Sequence, residues 1–152
     1  MSGRPVRPRV AARALAVQLL YAWEAHRFCD PAAMPGLLTR DERLAAAPEA
    51  LAEAGQMAAG VARERQAVDA AIDQRLTNWT IHRLAATDRA ILRLAAWELL
   101  YELSVPPKVA ISQAVALARE YGSDDKTPRL INGVLDRLAR DHRGLGQPAK
   151  GA

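Results

Sequence analysis

Cysteine occurs once in the 152 residues, at Cys29, so no intramolecular disulfide can form and a cluster of thiolate metal ligands is excluded. Aromatic residues are nearly as scarce, with three Trp, three Tyr and one Phe, although half of the chain is apolar. An interior built mainly from Ala and Leu suits closely packed helices better than a sandwich of β-branched and aromatic strands. Long polar-apolar alternation is absent as well, and the chain reads as all-α. The N-terminal charges are followed by no apolar stretch that would serve as a signal peptide, and the most apolar run is too short and too ionic to span a membrane. A reducing cytoplasm is the expected setting, and 152 residues suffice for a core without disulfides or metal.

Acidic residues are missing from the first thirteen positions, which carry Arg4, Arg7, Arg9 and Arg13. The remaining 139 residues are balanced, so the whole formal charge of +4 resides at that end. Pro5 and Pro8 separate the first arginines and predict a basic arm over 1–8. A helix is expected from Arg9, with Val10, Ala14, Val17 and Tyr21 in one apolar row and Arg9 and Arg13 four apart on one edge.

What is abundant is helical periodicity. Asp88 to Tyr101 is apolar over more than half of a helix circumference, through Ile91, Leu92, Leu94, Ala95 and Leu99. A helix of that kind must be covered on several sides, which makes it the expected centre of the core. Arg89 with Arg93, and Glu98 with Glu102, form two polar seams along it, and Thr87 is its expected N-cap. Upstream, Leu51, Ala54, Ala58, Val61, Val68, Ile72, Leu76 and Trp79 predict one long helix of about 40 Å. Residues 27–48 are broken by prolines, with a short helix expected over 37–46. Downstream, a helix from Pro107 to Tyr121 is expected to stop at Gly122 in the left-handed conformation. Thr127 and Pro128 then read as the N-cap and first position of a last helix. Asn132-Gly133 is a turn dipeptide inside that helix, which predicts a close backbone neighbour at Gly133 and an internal partner for Asn132. One domain over 9–140 with a polar tail over 141–152 completes the expectation.

Catalytic constellations are not in evidence. His26, His82 and His142 fall in no metal-ligand spacing, and there is no phosphate-binding glycine loop or nucleophile elbow. Asp124-Asp125 reads as a solvated loop pair and Cys29 as no better a nucleophile than any lone thiol. No cofactor and no metal are expected, and binding is the class that remains.

Three ordered segments then carry a resemblance. Asp88-Arg89-Ala90-Ile91-Leu92-Arg93-Leu94-Ala95-Ala96-Trp97-Glu98-Leu99-Leu100, Val105-Pro106-Pro107-Lys108-Val109-Ala110-Ile111 and Ile131-Asn132-Gly133-Val134-Leu135-Asp136 resemble the transcription antitermination protein NusB family. The stretch from Arg9 to Trp23 is similar to that family's arginine-rich first helix. The resemblance implies two small helical bundles, about six or seven helices around a central apolar helix near 88–103, and a non-catalytic role in transcription. It implies binding of boxA-type single-stranded RNA from ribosomal RNA leaders, with a small-subunit ribosomal protein that doubles as a Nus factor, and so an indirect link to transcribing RNA polymerase.

Carried over by position, Arg9 and Arg13 correspond to RNA-contacting arginines, and Arg4 and Arg7 of the arm extend the same basic surface as candidate RNA contacts. Asp125, Lys126 and Arg129 correspond to a second RNA-proximal patch, and Tyr21 and Asp88 to a partner-binding surface. The chain departs from the family where Leu130 stands in place of a common aromatic, where Pro107 replaces a frequent Tyr, and in a 122–132 loop one residue longer. Two other readings stay open: an RNA-binding domain like those preceding ribosomal RNA cytosine methyltransferases, and a helical interaction module, as a homodimer, with a solvated basic arm. Purified protein incubated with end-labelled RNA, with and without magnesium, is expected to leave the RNA intact; discrete cleavage or modification products would contradict the adaptor reading.

Overall fold

A computed structural model describes residues 6–30, 33, 48–77 and 80–143, and the regular structure among them is helical throughout. The helices are α1 (Val6–Ala25), α2 (Pro48–Arg63), α3 (Arg65–Asp73), α4 (Ala86–Tyr101), α5 (Pro107–Tyr121) and α6 (Thr127–Arg143), with a 3-10 turn at Ile81–Arg83 before α4. The helix expected over 37–46, Arg4, Trp79 and the tail from 144 lie outside the described residues. Contacts divide the chain into two units, Met1–Glu64 and Arg65–Ala152.

The first unit pairs α1 with α2. Helix α1 begins at Val6, three residues earlier than expected, because Pro8 falls in the first turn, where a backbone N–H has no intrahelical partner to lose. The buried face also differs from the expected row. Val17 is buried as expected, with Leu19 and Leu20 beside it, but Val10 and Tyr21 are exposed and Ala12, Ala16 and Trp23 complete the buried face. Helix α1 is apolar on most sides, so its periodicity selects no single face; small Ala12 and Ala16 fit the Ala-rich face of α2, which buries Ala50, Ala54, Met57, Ala58 and Val61.

The end of α1 is made without glycine. Arg27 and Phe28 both adopt left-handed backbone, with φ of 57° and 59°, at about 1–2 kcal/mol for each L-residue. Local contacts offset this. The Phe28 N–H donates to the Trp23 carbonyl at 2.8 Å, the two rings meet edge to face at 4.8 Å, and Trp23 Nε1 donates to the Cys29 carbonyl at 3.0 Å. Cys29 is thereby a half-buried free thiol beside this stop.

The long helix expected from 49 onward is interrupted at Glu64. Its N–H reaches both the Gly60 and Val61 carbonyls at 3.2 Å, and regular helix resumes as α3 at Arg65. Gly60 favours the interruption by weakening the turn before it.

In the second unit α4 is central, as its sequence predicts: eleven of its sixteen residues are buried, and it packs against α3, α5 and α6. Three of the eleven carry charge. The Arg93 guanidinium donates to both carboxylate oxygens of Asp69 at 2.8 and 3.1 Å, which converts one predicted polar seam into an internal ion pair. No buried side-chain nitrogen or oxygen among the described residues lacks a hydrogen-bond partner. At the other end of α4, the Arg143 guanidinium donates to the carbonyls of Leu99, Glu98, Glu102 and Val105 at 2.8–3.2 Å. Glu98 and Leu99 lie in the last turn of α4, where the cation complements the helix dipole. For that reason α6 continues to Arg143 rather than ending near 140, and Asp141 joins in by accepting from Arg75 at 2.7 and 3.0 Å.

Helix α5 has the predicted bounds, but Gly122 is not left-handed, with φ of −65°. Glycine is required there for space. A Cβ would collide with the Ala118 carbonyl oxygen and approach the Thr127 side chain to 2.9 Å. The close neighbour expected at Gly133 is absent, since a Cβ there would meet only the Arg137 side chain at 3.5 Å, an ordinary contact.

Replacing Asp69 with Ala removes the carboxylate that faces the buried Arg93 guanidinium and is expected to lower stability by about 3 kcal/mol, whereas Asp69→Leu with Arg93→Met should recover most of that loss. Urea melts followed by circular dichroism measure both, and a loss below about 1 kcal/mol for Asp69→Ala would contradict the internal ion pair.

Candidate nucleic-acid interface

The segment between α5 and α6 is where the second unit presents charge on a fixed backbone. It is fixed by Asp88, in the first turn of α4, which is 4% exposed. Asp88 Oδ1 accepts the Ser123 N–H at 3.1 Å, and Oδ2 accepts the Ser123 hydroxyl at 2.6 Å and the Thr127 hydroxyl at 3.4 Å. The N-terminal end of the α4 dipole adds to the stabilisation of this carboxylate. Thr87, the expected cap of α4, makes no cap; Ala85 holds that position without a side-chain bond. Thr127 is likewise drawn inward, 3% exposed, rather than capping α6. The turn is closed by Asp124, whose carboxylate accepts the Lys126 N–H at 2.7 Å while its own N–H donates to the Thr127 hydroxyl at 3.3 Å.

A pinned backbone with outward side chains is the result. Asp125 and Lys126 of the loop and Arg129 of α6 are all exposed. Asp125 and Arg129 border a groove of about 860 Å³ along α5 and α6, whose walls also include Arg119 and Asn132; Lys126 lies on the other side, beside Leu130 and Thr127. Asn132 is exposed, and its side chain makes no hydrogen bond among the described residues, so the internal partner expected for it does not exist. Leu130, at the position of the family's aromatic, is half-buried beside Asp88 and Thr127.

The basic face of the first unit is less open than its sequence suggested. Arg7 lies in the first turn of α1, not in an arm. Arg9 is 30% exposed and paired with Glu53 at 2.5 Å. Arg13 is 3% exposed, too buried to be presented freely to a phosphate. Tyr21, by contrast, is 49% exposed and shares a face with Val10, eleven residues earlier and 40% exposed. Of the two residues carried over as a partner surface, Tyr21 is therefore accessible. The Asp88 carboxylate is engaged internally.

Ser123, Thr127 and Glu53 are the participants that sequence reasoning missed. Asp88 and Ser123 are 35 residues apart, and no spacing rule links a first-turn acid to a distant hydroxyl. The three histidines are exposed, and no group of three His, Cys, Asp or Glu among the described residues is placed to hold a metal. No helix of the described residues is long and apolar enough to cross a membrane.

Comparison with known proteins agrees with this geometry. The model of the NusB family matches residues 10–140. The transcription antitermination protein NusB of Sorangium cellulosum is 40% identical over 133 residues, covering 88% of this chain and 92% of that protein. Among solved structures, NusB of T. maritima superposes with a TM-score of 0.74 at 31% identity, over 88% of this chain and 92% of that one. A chain in the crystal structure of a plectonemic RNA supercoil gives 0.75 at 25% identity, over 92% and 99%. The match spans both units and all six helices, and the chain belongs to the NusB family, the non-enzymatic transcription antitermination proteins.

Proposed function

We propose that the chain binds boxA-type single-stranded RNA of ribosomal RNA leaders together with a small-subunit ribosomal protein serving as a Nus factor, and reaches transcribing RNA polymerase in the cytoplasm through that complex. The observation that carries this reading is the loop held from inside by Asp88, with Asp125 and Lys126 outward and Arg129 exposed on the adjoining start of α6. A backbone fixed before binding lowers the ordering cost of recognition. Lys126 and Arg129 meet phosphates, and Asp125 accepts from an exocyclic base amine. The RNA context of a structural neighbour and the family's antitermination role support the same reading.

On the first unit, Arg4, Arg7 and Arg9 supply further phosphate contacts, with Arg9 exchanging Glu53 for RNA. Arg13 serves by holding the helix that carries them. Tyr21, a ring with a polar tip beside Val10, is the contact for the ribosomal protein, as exposed tyrosines commonly are at interfaces. Asp88 contributes through the loop it anchors. No observation favours the homodimeric module or the methyltransferase-type domain.

Fluorescence anisotropy with and without the ribosomal protein, on boxA-like and scrambled strands, tests the reading. The protein alone should bind weakly, and the partner should tighten binding to the boxA-like strand far more than to the scrambled one. Arg9→Ala should reduce the log–log salt slope by about 0.7, one phosphate contact on a single strand. Equal enhancement on both strands, or an unchanged slope, would contradict the reading.

A further inference from the structure

Beyond the loop, the groove between α5 and α6 does not end. A second depression of about 640 Å³ is lined by Lys108, Ile111, Ser112, Val115, Arg119, Asn132 and Asp136. It shares Val115, Arg119 and Asn132 with the groove at the loop, so the two form one trough along the α5–α6 face. Lys108, Ser112, Val115 and Arg119 recur at four, three and four residues, which puts them on a single face of α5.

The charges of the trough are unequally engaged. Asp136 is bridged by Arg140 at 3.1 Å, Asp124 caps the turn into α6, where the helix dipole offsets its charge, and exposed Asp125 and Arg129 balance each other at the loop end. Lys108 and Arg119 are exposed, and among the described residues neither makes a side-chain hydrogen bond or ion pair; the same holds for the amide of Asn132. Two unengaged cations therefore flank a free amide over an apolar floor of Val115 and Ile111. That is the chemistry of a polyanion carrying hydrogen-bonding bases.

We infer that the RNA path continues past the loop along the α5–α6 trough, with Lys108 and Arg119 on successive phosphates and Asn132 on a base edge between them. This rests on the RNA reading above and extends it to residues that the family resemblance does not assign. Arg119 stands where the two depressions meet, and its planar fork suits a phosphate bidentately or a base by stacking. Asn132 pairs with an adenine edge through two bonds. The asparagine inside a helical apolar pattern thus has its explanation on the surface.

Two RNAs test it: a boxA-like 12-mer, and the same sequence flanked by six nucleotides on each side. The wild-type protein should bind the longer RNA more tightly, with a salt slope steeper by about 1.4, two further phosphates, so that the gain shrinks about sevenfold between 50 and 200 mM salt. Lys108→Ala should lower that gain and leave the 12-mer unaffected, and Lys108→Ala with Arg119→Ala should abolish the gain. Arg63→Ala, removing an exposed charge of the first unit, should retain the gain. Circular dichroism confirms that each variant is folded. No gain on extension, a gain that survives the double substitution, or its displacement by an acidic peptide with the 12-mer still bound would overturn the extended path alone. Failure of both RNAs to bind would overturn it together with the RNA reading.

Discussion

A single buried carboxylate organises the surface through which this protein is read to act. Asp88 lies at the start of the most buried helix and has three acceptances from the α5–α6 connection, two from Ser123 and one from Thr127. Hydrogen bonds to an ionised, sheltered acceptor are worth about 1.5–3 kcal/mol each, more than neutral ones. The loop therefore inherits the rigidity of α4. Gly122 makes this geometry attainable, because any side chain there would drive α5 away from Thr127.

The same economy of polar contacts recurs through the second unit. Arg93 and Asp69 tie α3 to α4, and Arg143 closes the C-terminus of α4 from the end of α6. Each sets a long cationic side chain of one helix against oxygen acceptors of another. In an interior short of aromatic rings, such contacts fix the register of Ala- and Leu-rich helices, whose apolar surfaces are too uniform to do so alone.

The sequence made the central helix legible, since only a helix covered on several sides tolerates apolar residues over so much of its circumference. It also showed the bounds of α5, where Pro107 starts and Tyr121 ends the pattern. The face of α1 was only partly legible, because exposed Val10 and Tyr21 fall in the same apolar row as buried Val17. The break at Glu64 was hidden for a related reason: apolar spacing continues in phase across it. At the candidate site, Asp125 and Lys126 fall in a polar loop that is exposed as read, whereas Arg129, in the first turns of α6, was singled out only by the resemblance. The inward turn of Asp88, Thr127 and Arg13 was invisible, because a charged or hydroxyl side chain at a helix end reads as capping or solvated until its distant partner is known. Asn132 failed in the opposite sense, as a polar residue assumed internal that lies outside.

Membership in the NusB family and the pinned loop point to an adaptor that presents a preformed surface. The claim on which that account turns is that Asp88 sets the loop's order without being needed for the core. Amide hydrogen exchange in Asp88→Ala is the most direct measurement of it. The account predicts that amides of 122–127 exchange roughly 10- to 100-fold faster while those of Leu94 to Leu99 keep their protection. Unchanged protection in the loop, or a loss spread evenly through α4, would contradict it.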